Sequence, residues 1–324
     1  MRYIALEEAF FIPELADIQP SHNELLGMFN PSSVEHFQHR LSDFTGYRLA
    51  EMDAAGIDIQ VLSLTTPGVQ IDLDPEQARR AARSANDYLA EVVAGHPDRF
   101  RGFAALPLQS PGAAVAELER AVTRDGFCGA LVNDCIVGPG GRYLDAPEYA
   151  ELWSALEHLD APLYLHPGTP PADRWRVLEG HPEMYGAAWS WAAEVSGHAL
   201  RILFSGVFDR HPGATLILGH MGEFLPFQRS RLDSRYAMLG GVAPIERAPS
   251  DYLGTNIVFT NSGVFSPAVM LGAVLEVGAD ALMFSVDYPY ESSYEAVRGF
   301  EQTTLSPADR EKIAHGNAER LLHI

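Results

Sequence analysis

Thr215-Leu216-Ile217-Leu218-Gly219-His220 is a short apolar run that ends in a histidine, with Met221-Gly222-Glu223 following it. Three other stretches repeat the pattern with groups that bind metals or move protons. Tyr3-Ile4-Ala5-Leu6 leads to Glu7, Ala161-Pro162-Leu163-Tyr164-Leu165 to His166, and Ala281-Leu282-Met283-Phe284-Ser285-Val286 to Asp287. Short β-branched and aromatic runs bounded by turn residues read as buried strands. A polar residue just past such a strand belongs at the carboxyl-end rim of an α/β barrel, where barrel enzymes build their sites. This reading gathers residues that are spread over most of the chain.

Four more strands are expected at residues 58–63, 102–105, 129–132 and 256–260, which makes eight. Helical patterns lie between them at 48–55, 75–94, 111–124, 146–159, 189–209, 223–235 and 267–277, with a closing helix at 307–322. Strand and helix alternating through eight strands is the signature of an α/β protein built as one (β/α)8 TIM barrel. No internal repeat, low-complexity tract or linker interrupts it, so residues 1–324 are expected to form one domain. Residues 11–39 are the exception, a polar, Pro-broken insertion between the first strand and the first helix. A long loop on that face serves as a lid or interface arm, and it is expected to decide which substrate fits.

Composition removes whole classes of function. A formal charge of −20 argues against nucleic acid or an anionic membrane as partner, since both need basic patches. No apolar run is long enough to span a bilayer, and charged residues near the start argue against a signal peptide. Two cysteines, Cys128 and Cys135, make neither a disulfide scaffold nor a zinc cluster, and a reducing cytoplasm is the expected home. Lys312 is the only lysine. Schiff-base chemistry, a Walker-type phosphate loop and a carbamoylated lysine bridging two metals are therefore disfavoured.

His166 is followed by Pro167-Gly168, which stops the backbone and leaves the imidazole at the rim. Asp287 follows a strand with almost no other polar group, so its carboxylate must be paired, hydrogen-bonded or metal-bound. Glu7 has the same placement. Two carboxylates and an imidazole suit one divalent cation, Mn2+, Zn2+ or Mg2+, with open positions for water and substrate. Glu223, three residues after His220, is placed to hydrogen-bond that imidazole and raise its basicity, or else to complement the dipole of a helix starting there. His96, His181 and His211 precede prolines at expected helix ends and read as capping groups, and His198 as a packed or supporting residue.

The segments ALEEAF, RLAEMDAAGID, YLHPGTP, GVFDRHPGATLILGHMGEFLPF, FTNSGVF, FSVDYPY and GNAERLL resemble the metal-dependent amidohydrolase superfamily, in order from Tyr3 to Leu322. Within it they are similar to the nonoxidative aromatic acid decarboxylases, the 2,3-dihydroxybenzoate, γ-resorcylate and 5-carboxyvanillate enzymes among them. Hydrolytic members carry a His-x-His pair where this chain has Glu7 and Ala9, a change typical of the decarboxylase branch. The resemblance implies Glu7, His166 and Asp287 as metal ligands, with His220 and Glu223 as a proton relay. It implies Arg48, Arg231, Asn133 and Tyr290 beside the substrate, a small aromatic carboxylic acid, and a homodimer or homotetramer. In the implied reaction Asp287 protonates the ring carbon that bears the carboxylate of an ortho-hydroxybenzoate, and CO2 leaves. The competing readings are a metal-dependent lactone or amide hydrolase on the same fold and a barrel without catalysis.

Overall fold

Parallel strands alternate with helices along the computed structural model, which describes residues 1–16, 18, 30–135, 142–168 and 175–324. Strands β1 (Ile4–Phe10), β2 (Ile59–Leu64) and β3 (Phe100–Gly102) form one arc. Strands β4 (Ala130–Asn133), β5 (Leu163–His166), β6 (Leu216–Leu218), β7 (Ile257–Thr260) and β8 (Leu282–Met283) form a second. The arcs meet at both seams. Ala104 bridges Ala130 at one, and Leu131 N–H donates to the Ala104 carbonyl at 3.0 Å. Glu8 bridges Tyr288 at the other, where Ala9 N–H donates to the Tyr288 carbonyl at 2.7 Å. The ring is the expected TIM barrel.

Strand residues alternate between its two faces, and both faces are buried. Ile4, Leu6, Ile59, Val61, Leu131, Tyr164, Ile217, Val258 and Met283 pack together inside the ring, with Ala318 and Leu322 of the last helix against them. Ala5, Leu62, Leu64, Val132, Leu163, Leu165, Leu216, Leu218 and Phe259 belong to the larger layer under the helices. Each buried aliphatic side chain contributes about 1.5–3 kcal/mol. A one-residue slip of any strand would exchange the layers, so the register is firmly set.

One strand breaks the alternation. Ile4 pairs with Ile59 and Ala5 with Gln60, but Glu8 then pairs with Leu62. β1 takes three steps where β2 takes two, and the extra residue of this bulge reverses the side-chain parity. Glu7 turns inward with Leu6, and Glu8 turns outward. Glu7 therefore stands within β1, three residues before its end, and not past the end as the apolar run suggests.

The α-helices of five residues or more among the described residues are α1 (Pro31–Leu41), α2 (Tyr47–Ala55), α3 (Pro75–Gly95), α4 (Pro111–Thr123), α5 (Ala150–His158) and α6 (Ser190–Phe204). They continue with α7 (Arg229–Met238), α8 (Pro267–Val277), α9 (Ser293–Gln302), α10 (Pro307–Glu311) and α11 (Asn317–Leu322). Local chemistry sets several starts: Asp74 caps α3 by accepting from Glu76 and Gln77 N–H, with Pro75 in the first turn. The helix expected at 189–209 is broken after Phe204, because Gly206 takes φ 74° and a side chain there would strike the Pro244 carbonyl. The helix expected from Glu223 begins only at Arg229, because residues 220–228 form tight turns with several left-handed residues. α1 starts inside the insertion, where no helix is expected, and runs two residues past it; Asn30 caps it by accepting from Ser33 N–H. Residues 17 and 19–29 of the insertion lie outside the described residues.

Candidate metal centre and active site

The inward turn of Glu7 puts its carboxylate over the top of the barrel interior. Tyr164, one of the interior residues of β5, donates its hydroxyl to Glu7 Oε2, and so does Ser262 just past β7. The other oxygen, Oε1, is buried and has no hydrogen-bond partner. It faces two imidazole nitrogens, His166 Nε2 at 3.2 Å and His220 Nε2 at 3.4 Å. Asp287 Oδ2 closes the group at 3.6 Å from His220 Nε2. One ligand atom from each of Glu7, His166, His220 and Asp287 lies within 4.8 Å of the others.

The outer nitrogens show which way the lone pairs point. His166 Nδ1 faces only acceptors, Asn133 Oδ1 at 2.8 Å and the Pro167 carbonyl at 2.9 Å, so it carries the proton. His220 Nδ1 likewise donates to Glu223 Oε1 at 2.7 Å. With an ion bound, each ring would be neutral and would offer its Nε2 lone pair beside Glu7 and Asp287, the arrangement of a metal-binding histidine with an outer acceptor. The orphaned Glu7 oxygen and this donor set fit a divalent cation.

Charge balance without a cation tells the same story. Burial pushes the Glu7 carboxyl up, but His220 and His166 outweigh it and hold it at about 2. Burial disfavours the His220 cation, yet Glu7 and Glu223 raise its pKa well above the usual value. Burial raises Asp287, against the pull of His220 and with the help of Glu7. Protons thus gather where a metal ion would neutralise the carboxylates.

The backbone is unusual at the same place. His220, Met221, Glu223, Phe224 and Asp287 all take left-handed conformations, with φ of 48°, 58°, 51°, 71° and 79°. Non-glycine residues adopt these at a cost, and such residues cluster at functional sites. Glu223 consequently sits in a turn and cannot serve a helix dipole, so only its bond to His220 remains. Gly219, before His220, leaves room that a Cβ would take from the Glu7 carboxylate.

Tyr290 lines the same small cavity as Glu7, Ala9, Thr65, His166 and Asp287, and its hydroxyl meets Thr65 Oγ1 at 2.7 Å. Phe37 of α1 packs against Tyr290 with ring centres 4.9 Å apart, so the insertion does reach the rim. Two residues expected beside the substrate are engaged by the protein itself. Asn133 spends its side-chain oxygen on His166, orienting that ring. Arg48 is fully buried behind β1, its donors taken by Gln60 Oε1 and the Ala9 and Asp43 carbonyls. Arg231 is exposed on α7 and lines a separate groove of about 600 Å³ that reaches Glu223. His198 is a packed group, donating from Nδ1 to Asp134 at 2.7 Å and accepting Leu144 N–H at Nε2.

The amidohydrolase family profile matches residues 35–324. The chain belongs to that family. It is 44% identical over 326 residues to the γ-resorcylate decarboxylase of Rhizobium radiobacter, covering 99% of this chain and 98% of that one. A 2,6-dihydroxybenzoate decarboxylase solved with 2,6-dihydroxybenzoate superposes with a TM-score of 0.94 at 43% identity, covering 100% of both chains. A dihydroxybenzoic acid decarboxylase from Polaromonas sp., solved with manganese and 2-nitroresorcinol, gives 0.94 at 41% identity, covering 99% of this chain and 96% of that one.

Sequence reasoning passed over Tyr164, Ser262, Glu8 and Gln60. Gln60 had a usable signal, a lone amide inside the strand Ile59–Leu64, whose other residues apart from Ser63 are aliphatic. Tyr164 had none, because a tyrosine in a buried strand reads as bulk until its hydroxyl is seen to meet Glu7.

Proposed function

We propose that this family member releases CO2 from a benzoate bearing an ortho hydroxyl, giving a phenol, with one divalent ion held by Glu7, His166 and Asp287. The convergence of these residues with His220 within 4.8 Å carries the reading, in a chain so similar to an enzyme solved with 2,6-dihydroxybenzoate. Mn2+ is the preferred ion, as in the Polaromonas relative, with Zn2+ or Mg2+ as substitutes. When bound, the ion supplies positive charge for the substrate's carboxylate and phenolic oxygens. Asp287, protonated as the substrate binds by the hydroxyl proton that passes through His220, delivers that proton to the ring carbon bearing the carboxylate. The bond to the carboxylate carbon then breaks, its electron pair restores the aromatic ring, and CO2 leaves. His220, oriented by Glu223, takes the hydroxyl proton as the substrate binds. Tyr290 and the described part of the insertion bound the ring.

Three further proposals accompany this one. Arg231 binds the anionic substrate from the groove beside Glu223, so Arg231→Met raises KM without changing metal content; an unchanged KM removes it from the site. The chain assembles as a homodimer or homotetramer, supported by the exposed Phe224, Leu239 and Val242 that line that groove, and light scattering reads the mass. Residues 1–324 act as one domain in a reducing cytoplasm, consistent with two free cysteines and, among the described residues, no helix long and apolar enough to cross a membrane.

The experiment is turnover of 2,6-dihydroxybenzoate in D2O. The product should carry one deuterium where the carboxylate was, benzoate and 4-hydroxybenzoate should be inert, and Asp287→Asn should nearly abolish CO2 release while some metal remains. Lactone hydrolysis with no CO2 from any ortho-hydroxybenzoate would replace the reading with a hydrolase.

A further inference from the structure

Asp287 is gripped on both flanks by the strand that carries Glu7. On one side Val286 N–H donates to Glu8 Oε1 at 3.0 Å, joined by Ser285 Oγ at 3.4 Å. On the other, the Tyr288 carbonyl accepts Ala9 N–H at 2.7 Å. Both grips lead back to one arginine. Glu8 Oε2 accepts from Gln60 Nε2 at 3.1 Å, and Gln60 Oε1 accepts from Arg48 Nη1 at 3.1 Å. Arg48 Nη2 donates to the Ala9 carbonyl at 2.5 Å, and the guanidinium lies 4.3 Å from the centre of the Tyr288 ring. Glu8, Gln60 and Arg48 are each 0% exposed, which is costly for polar groups unless all their bonds are made.

The order of donors and acceptors along these three side chains is forced. Arg48 has donors only, so Gln60 must turn its oxygen to Arg48 and its NH2 to Glu8. Val286 N–H is also a donor, so the residue at position 8 must accept on both sides. A carboxylate does this and an amide cannot.

We infer that the buried relay Arg48–Gln60–Glu8 is a positioning device for Asp287, holding it at φ 79° with its carboxylate beside His220. The inference rests on the role proposed for Asp287 above. Its distinctive consequence is that polarity matters, not merely bulk or burial. Glu8→Gln turns a donor against either Gln60 or Val286. Adding Gln60→Glu repairs it: the carboxylate then at position 60 accepts from Arg48 and from the new amide, whose oxygen accepts from Val286.

The test measures kcat and KM for 2,6-dihydroxybenzoate, together with Mn2+ binding by paramagnetic resonance titration, in Glu8→Gln and in Glu8→Gln/Gln60→Glu. The single variant should lose about ten- to a hundred-fold in kcat, bind Mn2+ more weakly, and change KM less than about three-fold. The double variant should recover to within about five-fold of the parent, the coupling expected of neighbours in one network. Recovery in the double variant also supports the inference if the single variant fails to fold. A parent-like single variant, a double variant no better than the single one, or unfolding of both would overturn it. If the parent protein releases no CO2 at all, the decarboxylase reading fails, and the Mn2+ titration of the same pair still decides the positioning role.

Discussion

Glu7 and Glu8 are adjacent, both carboxylates, and both almost wholly buried, yet they belong to different regions. The bulge in β1 sends Glu7 into the barrel, among Tyr164, Ser262, His166 and His220, and sends Glu8 into the layer under α2, among Gln60, Arg48 and Val286. Their carboxyls move in opposite directions. Burial is the largest influence on both: two imidazoles overcome it at Glu7, while at Glu8 it pushes the carboxyl up, with Val286 N–H and Arg48 favouring the ionised form that accepts on both sides. The pair teaches that burial does not define a functional carboxylate. Glu7 has an oxygen left over for an ion, whereas both oxygens of Glu8 are consumed by the protein.

The comparison breaks most visibly at Glu7. Glu7→Gln should remove the tightly bound divalent ion and lower kcat/KM by about a thousand-fold, the upper scale for deleting one preorganised group at a reacting centre. Elemental analysis and CO2 release measure both, and full retention of metal would dissolve the distinction from Glu8. Next is Gly219→Ala, which pushes a methyl into the Glu7 carboxylate from inside the ring. About a ten- to hundred-fold loss of metal affinity is expected with folding intact by circular dichroism.

Tyr164→Phe sharpens the interior side further. It removes one of the two hydroxyl donors that hold Glu7 Oε2, so about ten-fold weaker metal binding is expected, read by chelator competition. The smallest effect belongs to the outermost charge. Lys312 pairs with Asp280 at 2.8 Å, both well exposed. Lys312→Met should leave kcat unchanged and shift stability in urea by less than about 0.5 kcal/mol. A large loss of activity would reopen the lysine chemistry that the composition disfavours.

Much of the site was legible because its residues interrupt apolar strands. His166, His220 and Asp287 each follow a run whose neighbours are nearly all core formers, and a polar group there needs a partner. The Glu223 spacing was equally readable, though its backbone was not: nothing in Gly-His-Met-Gly-Glu announces consecutive left-handed residues in place of a helix start. The surroundings of Arg48 are hidden for a related reason. A guanidinium brought near an anion site by motif looks like a substrate clamp, and only the packing of α2 behind β1 shows its donors spent on Ala9, Gln60 and Asp43.

The amino-acid sequence alone determined the alternation of strands and helices, the barrel, and the chemical types at the strand ends. These follow from local periodicity, and local periodicity is written residue by residue. Tertiary structure decided which of two neighbouring glutamates faces the ion, that Asn133 serves His166, and that Tyr164 supports Glu7 from below. Each of these depends on a one-residue register shift or on contacts between residues far apart in the chain. A bulge leaves almost no trace in composition, yet it inverts every side chain that follows it on the strand.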